Sequence, residues 1–387
     1  MGDKAKAQAL LCLINILEQP EVKEQLVAAG GIEALIKHLR SPTNEITRLV
    51  SIALSMLCQV KMYADKASQQ GVIQALVNVI RANEVPSVLM EVMNAVGVIC
   101  DDSTNRQTLF NSTKDSISSV VSIMEDCSEP DLLLALCQSI SKLCRRHVTN
   151  QNGFIDSSVS SSIIMLTDIR NKEIQLAAVD TIHMLVENNP YTQSMMAQEG
   201  AVYPLINLLH KSKNQVVQEK TAGALWALAG DNGEERRIMA ATMGVDMLID
   251  FLGSLSESLH FIGSEGLGVL AQGAQNKQDQ IADANGVHPL VRLLKCDKEY
   301  LVLSAIRSIR HLCLSVGYLP HTANQNTVSQ ARGVKLLVAL LTLSSSELIQ
   351  VEAALTLAST ALGKLLKIKF SWTHVALGTS SEFAHCG

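Results

Sequence analysis

The sequence predicts an all-α chain, a solenoid of about eight stacked helical repeats of which the first is partial. Three observations carry this. Of 387 residues 47% are hydrophobic but only 3% aromatic, with 8 prolines, whereas a β-sandwich of this length would need more aromatics and turn residues. A glycine followed by an apolar helical pattern recurs: "GIEALIKHL" (31–39), "GVIQALVNVI" (71–80), "GAVYPLINLL" (200–209), "GVDMLIDFL" (244–252), "GVHPLVRLL" (286–294) and "GVKLLVALL" (333–341), with degenerate copies at 115–124 and 158–166. A second series of small-residue helices ends at residues 17, 58, 100, 144, 186, 229, 271 and 313, steps of 41 to 44. The two series keep step, so they form one unit.

Each element of the unit has a local reason. After the glycine comes a helix that carries Pro204 or Pro289 in its first turn, where a missing amide costs nothing. A polar turn such as "SPTNE" (41–45) or "KSKNQ" (211–215) ends it. A longer helix rich in Ala and Leu follows, then a short Asn- or Asp-bearing loop and a brief amphipathic helix leading to the next glycine. A last copy near 353–362 is offset by about five residues, and the excess is expected as a loop insertion within 315–333. No unit can cover its own apolar faces, so stability must come from neighbours. The expected organisation is a partial repeat over 1–30, full repeats over 31–362 and a non-repeat tail over 363–387. The chain is therefore expected to be a segment or splice form of a longer protein.

A period in the low forties belongs to helical solenoids. The order of glycine, "I-x-x-L-V-x-L-L" helix and "A-x-x-A-L-x-x-L" helix resembles armadillo repeats, over residues 1 to about 362. The resemblance implies a right-handed superhelix whose long third helices line a concave groove. It also implies protein segments as partners and a parent protein with further domains such as ankyrin repeats.

Several function classes lose ground. A net charge of −5 gives no bulk attraction to nucleic acid. No window holds the roughly 18 consecutive apolar residues of a membrane span, so no membrane insertion is expected. Nine cysteines without metal-type spacing suit a reducing compartment, the cytoplasm or the nucleus. Cys58, Cys100, Cys144 and Cys313 occupy one position in successive repeats, about 8–10 Å apart if neighbouring helices pack normally. Zinc ligands must converge to ~2.0–2.3 Å, so these thiols read as core. "GSEGLG" (263–268) lacks the strand a dinucleotide loop requires, and its glycines read as points of close helix approach. No catalytic residue, cofactor site or metal site is expected, and the chain reads as a non-enzyme.

What remains is a surface. The resemblance places Trp226 at the position where peptide-reading armadillo proteins carry a groove tryptophan, but their asparagine four residues on is Gly230 here. The same pair elsewhere reads Ile14/Glu18, Ser55/Gln59, Gly97/Asp101, Ser141/Arg145, His183/Glu187, Gly268/Gln272 and Arg310/Leu314, which disfavours a reader of basic localisation signals. Trp226 is the expected aromatic anchor. Asp101, Arg145, His183, Glu187 and Arg310 are candidate polar contacts. A groove of ~70 Å, from eight steps of ~9 Å, would track ~20 residues of an extended partner. The charged stretch "GDNGEERR" (230–237) reads as the seam between two helices and not as a ligand loop. The expected function is a protein–protein interaction scaffold; the alternative is a purely structural segment of a larger assembly protein.

Overall fold

A computed structural model describes residues 2–362; the tail expected over 363–387 lies outside them. The chain divides into two compact units, Met1–Gly230 and Asp231–Gly387. Both are built from one three-helix module, an opening helix, a middle helix and a long helix.

In the first unit the long helices are Asp3–Ile16, Asn44–Cys58, Pro86–Cys100, Pro130–Cys144, Lys172–Val186 and Gln215–Ala229, each packed against the next. A short opening and a short middle helix precede all but the first, as in Val148–Asp156 and Val159–Leu166 before Lys172–Val186. In the second unit the long helices are Glu257–Ala271, Glu299–Cys313 and a helix over 347–362. Among the described residues the only extended pairing is an isolated bridge between Leu314 and Pro320.

The recurring glycine serves two purposes. Between the opening and middle helices the chain turns through a left-handed residue: Gly30, Gly71, Gly200 and Gly244, with φ of 80–90°. The degenerate copies place Asp115 and Ser158 there at φ 58° and 66°, and the last two repeats place Asn285 and Arg332 there. In those two repeats, as in the first, where Gly30 turns the corner ahead of Gly31, the glycine of the motif is the following residue. A Cβ on Gly286 would lie 2.7 Å from Ile281 Cγ2, and one on Gly333 at 2.7 Å from Val328 Cγ1. Their glycines answer close packing and not backbone sign.

Neighbouring long helices are also stapled. Ser139, Thr181 and Ser308 each stand five residues before the end of their helix. Their hydroxyls donate to the carbonyls of Met93 (2.7 Å), Cys137 (2.9 Å) and Ser264 (2.7 Å) on the preceding long helix. Thr356 does the same to Ile306 at 3.2 Å, which keeps the offset last copy in register. The insertion that produces the offset is shorter than 315–333. Thr322–Gln330 is a regular opening helix, and the extra residues make a tight loop around the 3-10 turn Val316–Tyr318. That loop is closed by Ser315 N–H to the Leu319 carbonyl (2.7 Å) and His321 N–H to the Cys313 carbonyl (2.9 Å).

Cys58, Cys100, Cys144 and Cys313 are all buried. Burial pushes the Cys58 and Cys100 thiols up to about 12 and raises the Cys144 thiol well above its ordinary value. In "GSEGLG" a Cβ on Gly263 would meet the Leu248 carbonyl oxygen at 2.5 Å, and one on Gly268 would meet Ser308 Oγ at 2.5 Å. The glycines there admit the middle helix on one side and the next long helix on the other. "GDNGEERR" is a helix seam: Gly230 turns at φ 56°, and the Asn232 side chain caps Gly233–Met243 by accepting from the Glu234 and Glu235 amides.

Candidate interaction surface

The long helix of each repeat is unevenly covered. Positions that meet the preceding and following repeats are buried, as at Leu57, Val92, Leu136 and Ile182. The face holding Asp101, Arg145, His183 and Arg310 is only partly covered. Three of those four side chains are engaged with charged neighbours one repeat away.

Arg145 Nη1 donates to Asp101 Oδ1 at 3.1 Å, with both side chains about two-fifths exposed. The pair lies between the long helices Pro86–Cys100 and Pro130–Cys144. Beside it is a cleft of about 390 Å³ lined by Ser141, Lys142, Arg145, Glu173, Asp180 and Lys220. Lys220 is ion-paired with Asp180. His183 is half-buried, and its ring would touch any side chain added at Gly223 of the next long helix, 3.6 Å away. That burial lowers its pKa; Glu187 and Asp180 pull the other way and Lys220 adds to the fall. Glu187 caps its helix, and its carbonyl accepts from Gln151 Nε2 at 3.2 Å. In the second unit Arg310 is ion-paired with Glu352, which also accepts from Arg307 Nε at 2.9 Å. Glu352 stays ionised below the usual carboxylate range because the two guanidiniums outweigh its burial.

Trp226 differs from the sequence expectation. It lies on the long helix Gln215–Ala229 at 7% exposure, so its indole is mainly a packing element and offers a partner little surface. At the equivalent positions Gly97 and Gly268 could not carry a large side chain. A Cβ on Gly97 would sit 2.9 Å from Ser139 Oγ and 3.3 Å from Ser139 Cα.

Sequence reasoning passed over Asp180, Lys220, Arg307 and Glu352. Two of them had a signal: Asp180 and Arg307 stand one turn before His183 and Arg310 on the same helix face. It also missed a set of buried amides in the opening helices. Gln107 Nε2 donates to the Lys142 carbonyl (2.8 Å), Gln151 to Met184 (2.8 Å), Gln278 to His311 (2.8 Å) and Gln325 to Ser359 (2.8 Å). Each satisfies a carbonyl in the last turn of its own repeat's long helix. Lys23 Nζ does so for Met56 at 2.9 Å.

Among the described residues no group of three or more His, Cys, Asp or Glu could hold a metal ion, and no helix is long and apolar enough to cross a membrane.

A repeated three-helix module with stapled long helices, left-handed corners and a partly open long-helix face defines an armadillo-type solenoid, and the chain is similar to armadillo-repeat proteins. It is 32% identical over 131 residues to the ankyrin and armadillo repeat-containing protein of Mus musculus, a match covering 33% of this chain and 9% of that protein. It is 25% identical over 306 residues to junction plakoglobin of Homo sapiens, covering 72% of this chain and 40% of that protein. The chain thus spans less than half the length of these relatives. Its fold matches the crystal structure of an engineered protein with a TM-score of 0.79 at 21% identity, over 93% of this chain and 86% of the other. No family model matches the chain.

Proposed function

We propose that the chain is a non-enzymatic scaffold whose long-helix faces bind an extended or helical segment of a partner protein. The observation that carries this reading is the cleft beside Arg145. It is open to solvent, is lined by side chains of both signs, Arg145 and Lys142 with Glu173 and Asp180, and sits on the helix face that neighbouring repeats leave partly uncovered. Asp101, Arg145, His183, Glu187 and Arg310 are the proposed polar contacts. Trp226 belongs to the reading as a support that holds its helix in place. The armadillo relatives favour protein partners. A cytoplasmic or nuclear address fits the reduced, buried thiols of Cys58, Cys100 and Cys144.

The test is proximity labelling from the full chain and from its Arg145→Glu variant, with melting curves for both. Arg145 is surface-exposed, so its reversal is expected to remove a subset of labelled partners while the melting temperature holds. An identical labelling profile would remove the proposal. A second reading, a structural segment within a larger protein that also carries ankyrin repeats, is favoured by the small share of the mouse relative that the chain matches. It predicts that labelled neighbours are insensitive to every substitution on the long-helix face.

A further inference from the structure

The degenerate middle helix Ser116–Asp126 borders a cleft at the edge of the first unit. Counted from the left-handed corner, the third, fourth and seventh residues are Tyr203, Pro204 and Asn207 after Gly200. After Asn285 they are His288, Pro289 and Arg292, but after Asp115 they are Ser118, Ser119 and Ser122. Those short side chains line a cleft of about 640 Å³ between the middle helices Val72–Ala82 and Ser116–Asp126. Its buried wall is Ile80, Leu89 and Leu132, and its exposed rim carries Glu84, Asp126 and Glu129. The volume suits a small molecule. About 18 Å of helix separates Leu89 from Asp101, so this cleft is distinct from the one beside Arg145.

Charge says which chemistry the cleft takes. Arg81, the cation of its lining, is already held by Asp115 at 3.3 Å. Glu84 and Glu129 precede the long helices Pro86–Cys100 and Pro130–Cys144, where a carboxylate complements the helix dipole and needs no ligand. Asp126 has no such reason. It is the last residue of its helix, the end at which negative charge is disfavoured, and no basic residue stands in that last turn. Serine hydroxyls on the same helix supply further acceptors. A cleft recurs at the corresponding junction of the second unit, about 510 Å³ in volume. There the helix wall is Leu336, Ala339 and Leu343, and Lys295 in the lining offsets Asp297 and Glu299.

We propose that the cleft at Asp126 binds a small organic cation. Its ammonium or guanidinium group is held by the Asp126 carboxylate and the Ser119 and Ser122 hydroxyls, and its hydrocarbon body lies against Ile80, Leu89 and Leu132. The polar groups set the preference for charge, and the apolar wall supplies contact area. This goes beyond the scaffold reading and does not rest on it.

Cys127 reports occupancy, because its half-buried thiol is part of the lining, whereas Cys12 is exposed on Asp3–Ile16. The probes are phenylbutylamine, phenylbutanol and phenylbutyrate, one body with a cationic, a neutral and an anionic head. The full chain is alkylated with iodoacetamide in the presence of each, and the rate at each cysteine is read by mass spectrometry. At millimolar concentration the amine is expected to slow Cys127 by about threefold or more and to leave Cys12 unchanged, while the butyrate protects neither. Asp126→Asn is expected to weaken the amine about tenfold, at an exposed position where losing the charge does not threaten the helix. Ser122→Leu fills the cleft and should abolish the difference that the amine makes. Equal protection by all three probes, no protection by the amine, or protection that survives Asp126→Asn overturns the proposal. Arg145→Glu should leave the protection intact, whatever it does to labelled partners. Protection lost on that substitution would move the amine to the long-helix face and overturn this site alone.

Discussion

His147 shows how much a single side chain does at a repeat boundary. Its Nδ1 accepts from the Asn150 amide at 3.2 Å and caps the opening helix Val148–Asp156, while Nε2 lies 2.9 Å from Thr108 Oγ1. The cap needs a neutral ring, and burial lowers the pKa accordingly. His183 and His311 are shifted the same way, each chiefly by burial. For a histidine whose folded pKa is depressed, the unfolded chain binds the extra proton first. The stability tied to neutrality is therefore complete above the unfolded value of about 6.5 and drains away as pH falls toward the folded value. The melting temperature is expected to drop between pH 7.5 and pH 5.5, and to drop less in a His147→Gln, His183→Gln double variant. An unchanged pH profile in that variant would assign the loss to other groups. At Trp226 the expected outcome is also one of stability: truncation to Ala should cost about 3–5 kcal/mol in chemical denaturation, as for other buried aromatics. A small change in stability with a large loss of partner would return Trp226 to the exposed role.

At the scale of the element, two devices recur within the repeats. One is the buried amide that reaches from the opening helix to the end of the long helix. Gln151 joins the Met184 and Glu187 carbonyls and itself accepts from Asn189 Nδ2 at 3.0 Å. Gln151→Ala leaves those carbonyls buried without their donor and is expected to cost about 1–3 kcal/mol, read by urea unfolding. The other device is the left-handed corner. Ser158 occupies it at φ 66°, a conformation that costs an L-residue roughly 1–2 kcal/mol and a glycine almost nothing. Ser158→Gly is expected to raise the urea midpoint modestly, since the gain in the turn exceeds the entropy glycine adds to the unfolded chain. A lower midpoint would mean that the serine makes a contribution beyond its backbone.

At the scale of the molecule, stability in each unit is a sum over neighbours, because every repeat leans on the ones beside it. A defect should therefore spread one repeat and little further. With Gln151→Ala, hydrogen exchange is expected to quicken across Thr104–Ser112 to Pro190–Gln198 and to stay unchanged in Glu299–Cys313 and Gly333–Leu343. Uniform acceleration through both units would show a cooperativity that nearest-neighbour packing does not supply.

Period and polarity were enough to read the architecture. Glycines at 31, 71, 200, 244, 286 and 333 and small-residue helices ending 41 to 44 residues apart define the module, because helix propensity and apolar spacing are local properties. The pairing of Asp101 with Arg145 was also within reach. Opposite charges at one register position, one period apart, come together in any stack. Other features needed the tertiary structure. Asp115 and Ser158 occupy left-handed corners that glycine fills in other repeats, which the apolar pattern does not report. The insertion after Cys313 shrinks to a short closed loop because residues 322–330 find a helix partner in the preceding repeat. Trp226 sits at the family's groove position, yet its exposure is decided by how closely its surroundings pack, and they leave it 7% open. The sequence alone determined which residues share a helix face; only packing decided which of those faces remain open to a partner.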